Sequence, residues 1–242
     1  MNKEIRLIGI SGKIKSGKDT VTKMFQYLTS KAQDKWSFEE YNKLNGLIGT
    51  YGYGYEPEWK NKKFADGLKQ MIGLLTGCSV KDFESQEFKA SHLPPEWDCN
   101  YFDDYKTTVK KYTYREALQY VGTDLLRNQF HNDVWVNCLF SKYKREELGE
   151  DRHKGEKYMV YGDYPKWIIS DVRFPNEAKR IKELGGILIL VKRPETDELA
   201  GNHISETALD DYSGFDEIIY NDSTLDELLN KTKSIIKKYN IK

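Results

Sequence analysis

The chain has 242 residues, 28.3 kDa, with 38 basic residues balancing 38 acidic ones, which argues against direct nucleic-acid or membrane-surface binding as its main task. Three dispersed cysteines (Cys78, Cys99, Cys138) make neither a disulfide framework nor a zinc knuckle, no run is long enough to cross a membrane, and Met1–Arg6 lacks a signal-peptide profile. Zinc enzyme, secreted scaffold and membrane protein are thereby set aside in favour of a cytoplasmic protein with reduced thiols, while a hydrophobic fraction of 38% can fill one large core.

Leu7-Ile8-Gly9-Ile10 belongs to a short apolar run of the kind expected for a strand buried on both faces. Trp167–Ile169, Ile187–Val191 and Ile218–Tyr220 read the same way. Helical spacing follows the first strand at Val21, Met24, Phe25 and Leu28, and recurs at Leu68, Met71, Ile72 and Leu75. Pro175 opens a further helix that Gly185-Gly186 closes, and Ser223 or Thr224 can cap a last helix bearing Leu225, Leu228, Leu229, Ile235 and Ile236. Strands alternating with helices predict an α/β fold, a parallel sheet with helices on both faces. Two stretches stand outside this scheme. Residues 33–63 are rich in Tyr, Trp, Gly and Lys and suit a surface loop, or a subunit contact in a homodimer. Residues 142–157 are almost wholly charged and suit a solvated helix end and loop.

Gly12-Lys13-Ile14-Lys15-Ser16-Gly17-Lys18 matches G-x-x-x-x-G-K, with a strand before it and an amphipathic helix after it. Glycines there let backbone N–H groups curl around a phosphate, and the helix N-terminus adds its positive dipole end. Lys18 then reaches β and γ oxygens as a mobile charge. Asp19 stands where Ser or Thr normally meets magnesium, and Thr20 follows it. The motif predicts the P-loop three-layer sandwich, one domain over 1–242, with inserted segments at about 33–63 and 88–112.

The guanine-reading N-K-x-D of GTPases is absent, as is a Walker B strand ending in Asp-Glu. Ser170-Asp171-Val172-Arg173 instead ends the second apolar run, where a strand's carboxyl end meets the nucleotide crevice. Asp171 can hold magnesium there, and Arg173 points the same way. Only eight arginines accompany thirty lysines, and Arg115, Arg127, Arg173 and Arg193 fall near helix starts or strand ends. A phosphate acceptor, with second pKa about 6, arrives ionised and needs cations rather than a general base. The residues fit that kind of acceptor better than a hydroxyl.

These segments resemble the bacteriophage-type deoxynucleoside monophosphate kinases. The resemblance is carried by Ser16–Thr20, Ala65–Lys69, Tyr114–Asp124, Trp135-Val136, Asp171–Arg173, Arg193-Pro194, His203–Glu206 and Asn221-Asp222. Several of the same motifs are similar to those of phosphomevalonate kinases and, more distantly, dephospho-coenzyme A kinases. A non-catalytic ATP-binding module is the rival from another class. The resemblance implies ATP and magnesium as cofactors and a deoxynucleoside monophosphate as small-molecule partner. Gly12, Lys13, Lys15, Ser16, Gly17, Lys18, Asp19 and Thr20 would hold ATP phosphates, with Asp19, Thr20 and Asp171 near the metal. Asn221 and Asp222 would line the adenine side. Lys69, Arg115 and Arg173 would grip the acceptor phosphate. Gly122, Thr123, Arg127, Trp135, Asp171 and Glu177 would complete the acceptor site. Arg193 would cover transition-state charge from a lid. Three of these have plainer readings. Trp135 beside Val136, Leu139 and Phe140 reads as a core aromatic, Gly122-Thr123-Asp124 as a helix break and cap, and His203 with Glu206 as a local hydrogen-bonded pair.

Overall fold

The computed structural model describes residues 4–51, 57–103, 106–145, 147–153, 156–194 and 203–242. It divides into two compact units, Met1–Lys63 with Phe140–Lys242, and Phe64–Leu139. In chain order the first unit carries β1 (Leu7–Ser11), α1 (Lys18–Leu28), α2 (Phe38–Tyr51) and β2 (Lys60–Lys62). The second holds α3 (Ala65–Thr76), α4 (Gln86–Ala90), the hairpin β3 (Cys99–Asp103) and β4 (Lys106–Lys110), and α5 (Tyr114–Gln119). A π-helical stretch, Tyr120–Phe130, continues α5, and the unit ends at Leu139 in α6 (Val134–Phe140). The first unit resumes with β5 (Glu147–His153), β6 (Glu156–Tyr161), β7 (Trp167–Ile169), α7 (Pro175–Glu183) and β8 (Ile187–Lys192). It closes with α8 (Ile204–Thr207), β9 (Glu217–Tyr220) and α9 (Leu225–Lys238).

The four apolar runs become β1, β7, β8 and β9, joined by β2 in a parallel sheet of order β2-β7-β1-β8-β9. This is the expected α/β fold. All five residues of β1 are buried, as a central strand covered on both faces requires. The carboxyl ends of β1, β7, β8 and β9 lead directly to Gly12, Asp171, Arg193 and Asn221, so strand ends deliver residues the sequence singled out.

β2 left no apolar signal, because Lys60-Asn61-Lys62 is an edge strand held by its backbone. Lys60 N–H donates to Lys166 O at 2.9 Å, Ser170 N–H donates to Lys62 O at 3.2 Å, and Ser170 Oγ donates to Asn61 Oδ1 at 2.9 Å.

The expected surface loop at 33–63 is in part a helix, and its aromatic residues are core. Glu40 accepts from Ser37 N–H and its own N–H donates to the Ser37 hydroxyl, a capping box that starts α2. Phe38 and Tyr41 are buried against Tyr27, with ring centroids 5.6 and 5.3 Å away. Trp59 is fully buried, its Nε1–H donating to Lys242 O at 2.8 Å. Residues 52–56 of this stretch lie outside the described residues. The charged stretch expected as helix end and loop instead pairs as the β5–β6 hairpin. High charge forbids burial of a segment but not strand pairing.

The stripe holds on α1, where Val21, Met24 and Phe25 are fully buried, and in part on α9, where Leu228 and Ile235 are buried, Leu229 and Ile236 half-buried and Leu225 exposed. Thr224 is the cap of α9, accepting from Glu227 N–H. On α3 only half the stripe is buried. Leu68 and Ile72 are covered, while Met71 and Leu75 are exposed.

Candidate active site

In the first unit residues 12–17 turn the chain from β1 into α1. Gly12 (φ 149°) and Gly17 (φ 102°) take conformations that L side chains rarely adopt. A Cβ on Gly12 would sit 2.3 Å from Val191 O, and one on Gly17 2.5 Å from Asn221 Nδ2. Lys15, exposed, also has positive φ. Asn221 Nδ2 donates to Ser16 O at 2.9 Å, bracing the loop from the end of β9. The Ser16 hydroxyl is fully buried and has no hydrogen-bond partner among the described residues. An orphaned polar group of this kind commonly marks a site that is completed by a ligand or water.

Lys18 is folded back on the loop, its Nζ donating to the carbonyls of Gly12 and Lys13 at 2.6 Å each. Burial, and then the charge of Arg173, lower its pKa to about 8, while Glu206, Asp19 and Asp171 oppose that shift. Arg173 forms an ion pair with Glu206 and donates to Ser205 O at 3.4 Å. The backbone that carries Arg173 is fixed by Glu177, a buried carboxylate accepting from Arg173 N–H at 2.8 Å and Phe174 N–H at 3.1 Å. Glu177, expected among acceptor-binding residues, thus spends one oxygen on the turn that presents Arg173. Lys13 donates to Glu206 O at 2.9 Å and forms an ion pair with Asp210.

Glu206 and Asp210 are the residues the sequence reading missed in these roles. His203 and Glu206 are hydrogen-bonded locally through the backbone, Glu206 N–H donating to His203 O at 2.8 Å, while His203 Nδ1 shares a 2.8 Å hydrogen bond with the Ser205 hydroxyl and the Glu206 side chain goes to Arg173. Only the His-Ile-Ser-Glu spacing hinted at this, since an ion pair between residues 173 and 206 has no local sequence signature. Asp222 is exposed and paired with Lys231 of α9 at 2.9 Å, and Arg193 is exposed just past β8.

For magnesium, Asp19 is exposed 3.8 Å from Lys63, Thr20 is half-buried, and Asp171 is half-buried beyond β7. Both carboxylates lie within electrostatic reach of Lys18. Among the described residues no three His, Cys, Asp or Glu side chains converge into a cation cage. Two carboxylates and a hydroxyl still fit magnesium, which takes one or two carboxylates and completes its shell with phosphate and water.

In the second unit Lys69 is buried on α3 and donates to Glu84 Oε1 at 2.6 Å. Arg115 lies within the Thr113–Glu116 capping box and donates to Gln86 Oε1 at 2.8 Å. Arg127 is buried and donates to Asn132 O at 3.2 Å. Trp135 is the buried aromatic of the plainer reading, its Nε1–H donating to Gly122 O at 2.8 Å. Gly122-Thr123-Asp124 is not a helix break. It lies within the π-helical stretch, with Gly122 and Thr123 buried, and such wide turns often mark functional sites.

Residues 83–232, more than half of the chain, match the family described as deoxynucleotide monophosphate kinase. A protein of Acanthamoeba polyphaga mimivirus, provisionally named a deoxynucleotide monophosphate kinase, is 36% identical over 205 residues, covering 80% of this chain and 95% of that one. The chain belongs to the deoxynucleotide monophosphate kinase family. The deoxynucleotide monophosphate kinase of Enterobacteria phage T4 is 30% identical over 127 residues, 52% of this chain and 46% of that protein. Membership makes the chain a phosphotransferase and separates it from the phosphomevalonate- and dephospho-coenzyme A-kinase alternatives. The kinase family match spans Arg115, Arg127, Trp135, Asp171, Arg173 and Glu206, while the glycine-rich loop precedes it. No helix among the described residues is long and apolar enough to cross a membrane.

Proposed function

We propose that this kinase transfers the γ-phosphoryl group of ATP to a deoxynucleoside monophosphate, giving ADP and the deoxynucleoside diphosphate. The observation that carries the reading is Lys18, desolvated and resting on two loop carbonyls beside the unpartnered Ser16 hydroxyl. A desolvated ammonium whose hydrogen bonds among the described residues go to neutral carbonyls gains by exchanging them for phosphate oxygens. The loop N–H groups and the start of α1 would cradle the β-phosphate, with Lys13 and Lys15 adding charge at the rim. Arg173 and Arg193 would neutralise charge that grows on the transferred group. Lys69, Arg115 and Arg127 would hold the acceptor phosphate, with Gly122, Thr123 and Trp135 shaping its surroundings.

An oxygen of the acceptor phosphate attacks the γ-phosphorus in line as the bond to the β–γ bridging oxygen breaks. No proton need be removed, because the attacking monoester is already ionised at neutral pH. Asp19, Thr20 and Asp171 would hold magnesium, which when bound supplies neutralisation of the β and γ oxygens. Free thiols and a T4 phage relative fit work in a host cytoplasm.

The test is ADP release from ATP and magnesium with each deoxy- and ribonucleoside monophosphate in turn. Stimulation by deoxynucleotides, abolished in a folded Lys18→Ala variant, is the expected result. Tight ATP binding without stimulation would favour the non-catalytic module, and a fully active Lys18→Ala would sink the phosphate-loop assignment.

A further inference from the structure

Two carboxylates sit where this reading needs anions to arrive. Lys13 belongs to the glycine-rich loop and Arg173 acts on its Lys18, and both are engaged by one short segment, α8 and the turn after it. Glu206 takes the Arg173 guanidinium with its side chain and the Lys13 ammonium with its backbone carbonyl, and Asp210 takes Lys13 again. The Glu206 side chain is only 14% exposed, whereas that of Asp210 is 47% exposed. The segment is seated by Leu209, which is buried. Glu206 also acts on Lys18, whose charge it favours against the opposing Arg173. A guanidinium binds carboxylate and phosphate with the same planar fork, so the two are direct competitors for Arg173.

We infer that Glu206, assisted by Asp210, is an internal stand-in for nucleotide phosphate, holding Arg173 and Lys13 in place until a polyphosphate displaces it. The inference rests on the phosphate-binding reading of the loop. Glu206 is a positioning residue, acting through Arg173. It keeps the guanidinium oriented beside Lys18 in the empty protein and limits the repulsion among three neighbouring cations. When it is displaced, its carboxylate is freed to water, and its return to Arg173 helps expel the product. The device therefore sets affinity and release together.

The experiment compares wild type, Glu206→Gln and Asp210→Asn, all as the full chain, by calorimetric titration with inorganic tripolyphosphate and by steady-state kinetics with ATP. A competitor worth one charge-assisted hydrogen bond changes affinity about tenfold. Glu206→Gln is expected to bind tripolyphosphate about tenfold tighter, with KM for ATP and kcat both lowered because release slows. Asp210→Asn, at a more exposed pair, is expected to bind about two- to threefold tighter, which gives a second reading should Glu206→Gln not fold. Glu183→Gln, a surface carboxylate on α7 paired with Arg180 and Lys179, is expected to leave both unchanged. Unchanged or weaker tripolyphosphate binding in both folded site variants would overturn the stand-in, since a merely structural role predicts weaker binding. Failure of wild type to bind tripolyphosphate at all would overturn the phosphate-loop reading itself and the stand-in with it.

Discussion

Asn221 donates through Nδ2 to the carbonyl of Ser16 at 2.9 Å, so the end of β9 holds the glycine-rich loop that begins at the end of β1. The same amide nitrogen fills the space a side chain on Gly17 would need, 2.5 Å from an added Cβ. One contact thus sets both the position of the loop and the identity of residue 17.

Gly17→Ala should therefore fail in two ways, by strain at φ 102° and by pushing Asn221 off Ser16. We expect kcat/KM for ATP to fall about tenfold or more, with the far-ultraviolet dichroism retained, because the sheet is untouched. Asn221→Ala should lose less, since it removes the brace without adding strain. The double variant should cost less than the sum of the two, because the clash requires Asn221. Strict additivity in steady-state kinetics would refute the coupling.

Arg173→Lys keeps the charge yet loses the fork. One guanidinium nitrogen, Nη1, meets both the Glu206 carboxylate and the Ser205 carbonyl, and the fork's second, parallel N–H is what it can offer a phosphate and an ammonium cannot. The expected loss is about tenfold or more in kcat/KM, and kinetics within about twofold of wild type would show that charge alone suffices.

Glu177→Gln tests the turn that presents Arg173. A buried carboxylate oxygen accepts from two consecutive N–H groups, and an amide oxygen accepts more weakly while its NH2 needs a new partner. A loss of about 1–3 kcal/mol in stability is expected, read as a lower thermal midpoint, together with a lower kcat from a misplaced Arg173. If the midpoint falls but kcat holds, Glu177 supports the fold and not the placement of Arg173.

What was legible in the sequence follows a physical line. Buried parallel strands are continuous apolar runs, so β1, β7, β8 and β9 announced themselves, and the residues at their carboxyl ends came with them. The edge strand β2 and the charged strand β5 left sequences that read as loop, because backbone hydrogen bonds pair a strand without an apolar run. Aromatic crowding around 33–63 looked like a surface insertion because Phe38, Tyr41 and Trp59 are core only once Tyr27 and the chain end at Lys242 are beside them. The glycine-rich loop was legible because its geometry restricts residue type at Gly12 and Gly17. Glu206 and Asp210 were not, since a carboxylate acquires such a role only through distant partners.

Tyr143 offers a test of packing through alkaline stability. It stacks on Tyr164 with centroids 5.0 Å apart and tilts against Trp167 at 4.9 Å. Burial is the main cause that pushes its pKa up to about 12, with Arg6 opposing and Tyr164 adding to the shift. An unfolded tyrosine ionises near pH 10, so the folded state is favoured below that and loses the advantage as pH rises from about 10 towards 12. Its hydroxyl lies 3.5 Å from Arg6 O, too long for a strong hydrogen bond, so Tyr143→Phe should leave the thermal midpoint at pH 7 nearly unchanged. Above pH 10 the variant should fall less steeply than wild type. It should still fall somewhat, because Tyr114, buried and bonded to Cys78 in the other unit, is likewise raised to about 12. Midpoints measured from pH 7 to pH 11 that run parallel in the two proteins would show that Tyr143 ionises as freely folded as unfolded, and that its stacking does not exclude water.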